Sequence, residues 1–377
     1  MAKKIFYFSL SLFVLILILL GAYNFAFKNN VNNPIADPAK IVPEQEGIPL
    51  AGEEKIANII NEEILGPIVS EDGSLYYYSE SEQVLKKATL EGKNKTVLMS
   101  NLPGMVTRIL WSPTEDQALL LIKQTSGELL WHLATLSNKS LTPLKAEMGR
   151  LAWDNLGGKI YYQYTDPVTK NRSLNSANPD GTQWKKLTDL GMEDFFLTSI
   201  PRSSAVSFWN RPNAKQTSSL NSVGAVGENR HSLFGGVFGG DYSWSSNGET
   251  VLISGSDDAN GNGFSLRIMK GSDPAQTLAL PTIISKTVWS KDGRTLYYTL
   301  PGALPKDAVL PDDYFGKPLY TKDTFWKVDT ATGKKTRLIE LRANTKSFDS
   351  SDLFLSPKED SLFFTDRVSK RLYRIEL

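Results

Sequence analysis

The 377-residue sequence contains no cysteine. That removes disulfides, thiolate metal sites, cysteine nucleophiles and iron–sulfur clusters together. It also leaves the chain indifferent to redox compartment. Histidine is nearly absent, with His132 and His231 the only two. A histidine-rich metal centre or a catalytic histidine pair would have to use both. An excess of charge is lacking as well: 42 Lys+Arg stand against 41 Asp+Glu. Without a basic field nothing draws the chain to phosphate backbones, and nucleic acid is set aside as a partner. No G-x-S-x-G nucleophile elbow occurs either.

One long apolar run is present. Residues 5–27, IFYFSLSLFVLILILLGAYNFAF, carry no charge, and at about 1.5 Å per residue such a run spans a hydrocarbon core of about 30 Å. Lys3 and Lys4 precede it and Lys28 follows, which places the N-terminus in the cytoplasm and the body outside it. The run is longer than the apolar region of a cleaved signal, which leaves an uncleaved anchor favoured over cleavage. Residues 28–52 are rich in Asn, Pro and Ala and read as an extended tether. The organisation expected is a cytoplasmic stub over 1–4, an anchor over 5–27, a linker over 28–52 and a folded body over 53–377.

The body repeats. VWSKDGRTLYYT contains Trp289, and similar stretches place Trp111, Trp153 and Trp244 at the same point, with Val69, Ile200 and Leu355 as substitutes. Successive spacings are 42, 42, 47, 44, 45 and 66. Five fit four-stranded propeller blades of roughly 40–50 residues, and the last holds an insertion. In each repeat a strand ends in the large apolar residue, a Ser-containing tight turn follows, and a second strand begins. The tryptophan is expected to fill the wedge between neighbouring sheets rather than to stack on a ligand. The fold class expected is all-β: a seven-bladed β-propeller, with six blades as the alternative, behind an N-terminal transmembrane helix. The C-terminal RLYRIEL supplies only a third strand, and EKIANIINEEI at 54–64 is expected to supply the fourth and close the ring.

WSPTEDQALLLI, WSSNGETVLIS and WSKDGRTLYYT resemble the WSPDG-type repeat of TolB-like propellers and of the propellers attached to prolyl oligopeptidases. The resemblance implies a fold and leaves function open, because such propellers serve many unrelated tasks.

The long second-to-third connections fall on consecutive blades: YTDPVTKNRS in blade three, a mobile loop expected from Asn210 to Gly240 in blade four, GSDDANGNG in blade five and PGALPKDAVLPDDYFGKPLYTKD in blade six. Loops enlarged on one face commonly build a binding surface. The candidate binding residues are therefore Arg211, Arg230, His231, Phe234 and Phe238 in blade four, and Asp312, Asp313, Tyr314 and Phe315 in blade six. Asp258, Asn260 and Asn262, with Asp257 beside them, match half of a calcium loop, although Met269 stands where the bidentate Glu belongs. A polar turn is the competing reading. Calcium is the only cofactor this pattern suggests.

The function expected is a membrane-anchored extracytoplasmic module that binds a protein, a peptide or an envelope polymer. The alternative is an extracytoplasmic hydrolase or lyase with its site at the channel mouth.

Overall fold

The computed structural model describes residues 56–191, 193–302, 304–316, 319–341 and 346–377. The apolar run at 5–27 and the linker at 28–52 lie outside these residues. Among the described residues no helix is long and apolar enough to cross a membrane.

The strands are antiparallel throughout and form six sheets, five of four strands and one of seven. The large sheet is two meanders that share one strand. Along His231–Trp244, the first part pairs with Thr217–Val223 and the last with Thr250–Ser256. Counted this way, the strands form seven four-stranded units in chain order. Neighbouring units pack through seven apolar clusters, each drawing on two adjacent units. One of them joins the last unit to the first, through Phe363 and Leu372 against Ile64, Leu75 and Tyr77. The core is thus divided among the gaps between sheets, as in a propeller-like all-β fold.

The ring is also closed by hydrogen bonds. Ile56–Ile60 pairs with Arg371–Glu376 as the fourth strand of the seventh unit. This agrees with the strand expected over 54–64.

Blade four departs from expectation. The segment read as a mobile loop from Asn210 to Gly240 folds mostly into strands Thr217–Val223 and His231–Trp244. Small residues explain why: Ser218, Leu220, Ser222 and Val223 are buried and alternate with outward positions in most of the strand. The partner strand tolerates its glycines because the pairing is bulged at two points. What remains of the second-to-third loop is the corner 211–216. In blade six the insertion carries a short helix, Asp312–Gly316.

The recurrent tryptophan does two jobs. Trp153 and Trp289 are buried, and Trp111 packs edge-on against Tyr76 of the preceding unit at 5.6 Å. Each of three indoles also donates a hydrogen bond backwards. Trp111 Nε1 bonds Gly66 O at 2.7 Å, and Trp153 Nε1 bonds Leu110 O at 2.8 Å. Trp244 Nε1 bonds Ser207 Oγ at 2.9 Å, which in turn bonds Thr198 O. The fourth unit has no tryptophan here, and Ser199 Oγ donates to Trp153 O instead. The following serine fastens the turn: Ser245 Oγ accepts from Thr250 N at 3.0 Å and Ser290 Oγ from Thr295 N at 2.9 Å.

Trp289 differs, because its buried indole nitrogen has no hydrogen-bond partner among the described residues. The two sites therefore separate packing from bonding. Trp153→Phe is expected to lose about 1–2 kcal/mol beyond its packing loss, since the indole bond to Leu110 O is gone. Trp289→Phe is expected to stay within about 0.5 kcal/mol of that variant's pure packing loss. Urea unfolding of both checks this; equal losses would show that the indole bond contributes nothing.

Candidate functional site

First strands lie on the inner edge of the ring, where those of units one and two, three and four, six and seven, and seven and one touch directly. Three positions before the tryptophan or its substitute stand Gly66, Arg108, Arg150, Leu197, Asp241, Lys286 and Asp352. In four of the seven first strands the ladder breaks at this place: after Leu65, Val106, Met148 and Ser351. A further break falls between Phe238 and Asp241. Bulges bend a strand and re-aim its side chains. Two cavities result, of about 210 Å³ and 650 Å³. Both contain Arg108, Leu151 and Leu197, and between them they touch first strands from six of the seven units. A space reached from so many units is the axis of the ring.

The smaller cavity is lined by Arg108, Arg150, Leu151, Phe196, Leu197, Trp209, Asp241 and Tyr242. Arg108 has neither a hydrogen bond nor an ion pair with any described residue. Arg150 stacks over the Phe196 ring at 4.4 Å and has no carboxylate within ion-pair distance among the described residues. Burial lowers the pKa of the Arg108 guanidinium, and the charge of Arg150 adds to the effect. Burial lowers Arg150 too, with Asp194 opposing and Arg211 reinforcing. Guanidinium groups nonetheless stay protonated in proteins. Asp194 is itself engaged by Gln163 Nε2 at 3.2 Å and Arg172 Nε at 3.4 Å. Asp241 Oδ1 accepts from Trp209 Nε1 at 2.9 Å and from Tyr242 N at 3.0 Å. Burial pushes its carboxyl up to about 6. Asp352 in the larger cavity is exposed, yet the protein packed around it still raises its carboxyl.

Lys286 holds the same repeat position but turns into the wall. It is fully buried and bonds Asp323 Oδ2 at 2.5 Å, Asp349 Oδ1 at 2.8 Å and Ser350 O at 2.8 Å. Tyr314, from the blade-six helix, donates to Asp349 Oδ1 at 2.9 Å and lies 5.0 Å from the lysine nitrogen. Arg367 also lies over that ring at 4.1 Å and reaches Asp349 Oδ2 at 3.1 Å. Burial alone would raise the Asp349 carboxyl, but Lys286, Arg367 and Thr321 together hold it below the usual range. Every charge in this cluster is matched, so it acts as a latch that pins the insertion to the ring.

The candidate binding residues fall at two ends of the fourth unit. Alternate connections of an antiparallel meander emerge on opposite faces. Arg211 lies in the 211–216 corner, close enough to Arg150 to influence it. Arg230 and His231 lie at the other end, after the third strand. There Arg230 Nη1 bonds Thr188 Oγ1 and Asp189 O, both at 2.8 Å, and its guanidinium covers Phe208. His231 Nδ1 is 2.7 Å from Asn229 O. Phe234 packs edge-on against Tyr242 at 6.3 Å, inside the strand rather than on a loop. Phe238 is half-buried and lines an open groove with Asn210 and Lys215.

In blade six, Asp312 Oδ1 accepts from Ala214 N at 2.9 Å, tying the insertion to the blade-four corner. Asp313 Oδ2 accepts from Val309 N at 2.9 Å. Tyr314 is buried in the latch, and Phe315 is exposed. Lys215 Nζ bonds Ala259 O at 2.7 Å. The connections of units four, five and six therefore meet on one face.

The half calcium motif is a fastened turn. Asp258 accepts from Asn260 N at 2.8 Å and Asn262 Nδ2 at 2.7 Å, while Asp257 Oδ1 pairs with Arg267 Nη2 at 2.6 Å. The side chains bond one another instead of converging on a central point. Among the described residues no group of three or more His, Cys, Asp or Glu is placed to hold a metal. His132 is buried within a strand, its Nδ1 3.1 Å from Leu130 O.

No family model matches the sequence, and no characterised protein matches it by sequence. The fold does have solved counterparts. An oligogalacturonate lyase in complex with manganese superposes with a TM-score of 0.61 at 12% identity, over 89% of this chain and 98% of that one. The oligogalacturonate lyase of Vibrio parahaemolyticus gives 0.61 at 11% identity, over 87% and 96%. A prolyl endopeptidase gives 0.58 at 13% identity, over 85% of this chain and 49% of that one. TolB from Acinetobacter baumannii superposes more loosely, at 0.46 and 12% identity, over 85% and 65%. At these identities the likeness establishes the propeller-like fold.

Two variants probe the electrostatics. A carboxyl whose folded pKa, about 6, lies above its ordinary 3.8 destabilises the fold as it ionises. The penalty is absent below that ordinary value and complete above the folded one. Asp241→Asn is expected to raise stability at pH 7.5 by roughly 1–2 kcal/mol, after allowing for water in the channel, and to leave it unchanged at about pH 3.5. Melting curves across this range check it; a pH-independent difference would refute it. Lys286→Met is expected to cost about 3–5 kcal/mol in urea unfolding, because buried Asp323 loses its cation and Asp349 keeps only Arg367. A loss below about 1 kcal/mol would show that the latch is dispensable.

Proposed function

We propose that the chain is a membrane-anchored, seven-bladed propeller that binds a protein, peptide or envelope polymer outside the cytoplasm through the face carrying the channel mouth. One observation carries this reading: the loops of units four, five and six meet on one face, and Arg108 and Arg150 at the axis have no ion-pair partner among the described residues. Arg108 is exposed and Arg150 half-buried, so both cations, held on strands, are open to an anionic group of a partner. The uncharged run at 5–27 and its flanking lysines support anchoring and the outward orientation of the body.

A second reading is an extracytoplasmic lyase or hydrolase at the same place. Asp241, with its raised carboxyl, shares a cavity with two guanidinium groups, an arrangement able to combine a general base with anion stabilisation.

Affinity capture from solubilised membranes tests the binding reading, with the full-length chain compared with Arg108→Gln/Arg150→Gln. A partner lost with the double variant is the expected result; identical partners from both would remove the channel from the function. Protease digestion of right-side-out and inverted vesicles checks the orientation, with cleavage of the body expected only in the first. Ultraviolet detection of unsaturated products from acidic oligosaccharides, abolished by Asp241→Asn, would favour the enzyme.

A further inference from the structure

The smaller axial cavity holds a local excess of positive charge. Arg108 and Arg150 line it from the first strands of units two and three. Arg211 follows the second strand of unit four and is close enough to lower the pKa of Arg150. None of the three has an ion-pair partner among the described residues. Asp194, whose charge also reaches Arg150, is engaged by Arg172 and Gln163. Asp241, from the first strand of unit five, is the one carboxylate in the lining. Three cations against one carboxylate leave a surplus of two positive charges. The space is also polar. Leu151, Trp209 and Tyr242 are almost wholly buried and Arg150 covers the Phe196 ring, so little apolar surface faces it.

We propose that this cavity binds a phosphoryl dianion, free or as a monoester, held among Arg108, Arg150 and Arg211. Charge is the first argument. A dianion balances the surplus, whereas a single carboxylate leaves one cation uncompensated. Shape is the second. The polar groups come from four different units, and a phosphoryl group turns three acceptor oxygens in different directions. Guanidinium forks match such oxygens, two at a time. Asp241 uses Oδ1 for Trp209 Nε1 and Tyr242 N, and its other oxygen has no hydrogen-bond partner among the described residues. Burial favours the neutral form of this carboxyl, which then donates to the anion instead of repelling it. The larger cavity shares Arg108, Leu151 and Leu197 with the smaller one but adds Glu115 and Asp352. Those carboxylates disfavour a second anionic group there, while the volume of about 650 Å³ has room for the uncharged body of an ester.

The inference rests on the reading that the channel is the functional site, and it deepens that reading. The two fail separately, because this one is measured with small probes and no partner. The full-length chain in detergent, at low ionic strength, is titrated calorimetrically with inorganic phosphate, glycerol 3-phosphate, dimethyl phosphate and acetate. Phosphate or glycerol 3-phosphate is expected to bind with a Kd below about 1 mM. Dimethyl phosphate, which has the same shape with one charge, and acetate are expected to bind at least tenfold more weakly. Binding of glycerol 3-phosphate at least as tight as that of phosphate supports a monoester, and preference for phosphate supports the free ion. Arg108→Gln and Arg150→Gln are each expected to weaken phosphate at least tenfold, and Arg150→Lys and Arg211→Gln severalfold, with near-ultraviolet circular dichroism unchanged. Asp241→Asn is expected to tighten phosphate at pH 7.5, where loss of the carboxylate removes a repulsion. Failure of both phosphoryl probes to bind below about 1 mM would overturn the inference. So would phosphate affinity unaffected by loss of either axial arginine. Should a variant lose its near-ultraviolet signal, the unaltered chain still decides: acetate or dimethyl phosphate binding as tightly as phosphate would equally overturn it.

Discussion

The structure depends on filling the wedge between sheets that meet at an angle. Each gap holds its own apolar cluster, and no single centre holds the molecule together. Wide aromatic side chains suit such gaps, burying large area with few rotatable bonds. An indole adds direction to this packing. By donating to the carbonyl of the previous first strand, Trp111 and Trp153 fix how far one sheet rotates against the next. Where the fourth unit lacks the ring, a serine preserves the bond.

The axis is a consequence of that stacking. First strands held edge to edge enclose a space, and bulges decide what enters it. Repetition then distributes chemistry: one repeat position supplies two arginines, two aspartates, a leucine, a glycine and a lysine. The lysine is drawn into the wall by two buried carboxylates, whereas neither Arg108 nor Arg150 has a carboxylate within ion-pair distance among the described residues. The latch around Lys286 and the open charge at Arg108 are thus two outcomes of one position, separated by what the neighbouring loops provide.

Much of the fold was legible because it is periodic. The tryptophan spacing marked the sheets, and the isoleucines before the first repeat marked the closing strand. The blade-four strands were illegible because Ser, Asn and Gly are turn formers by composition, and pairing partners overrode that preference. The blade-six insertion appeared as a surface of charge and aromatics, yet Tyr314 is internal, since its hydroxyl has a carboxylate to reach. The axial site left a signal that residue type alone does not show. A charged residue three places before tryptophan, in TRILW, GRLAW and GDYSW, is unusual within a strand that is otherwise apolar or small. The repeats must be superimposed before these residues fall into one ring.

Amide hydrogen exchange tests ring closure, the claim on which the axis and its cavities rest. Ile56–Ile60 and Arg371–Glu376 are ladder partners far apart in sequence. If the ring is closed, their bonded amides are protected together and exchange with the same slow rate as the central strands of the seventh unit. Exchange of Ile56–Ile60 within seconds, while Ser361–Asp366 stays protected, would show an open ring and contradict the account.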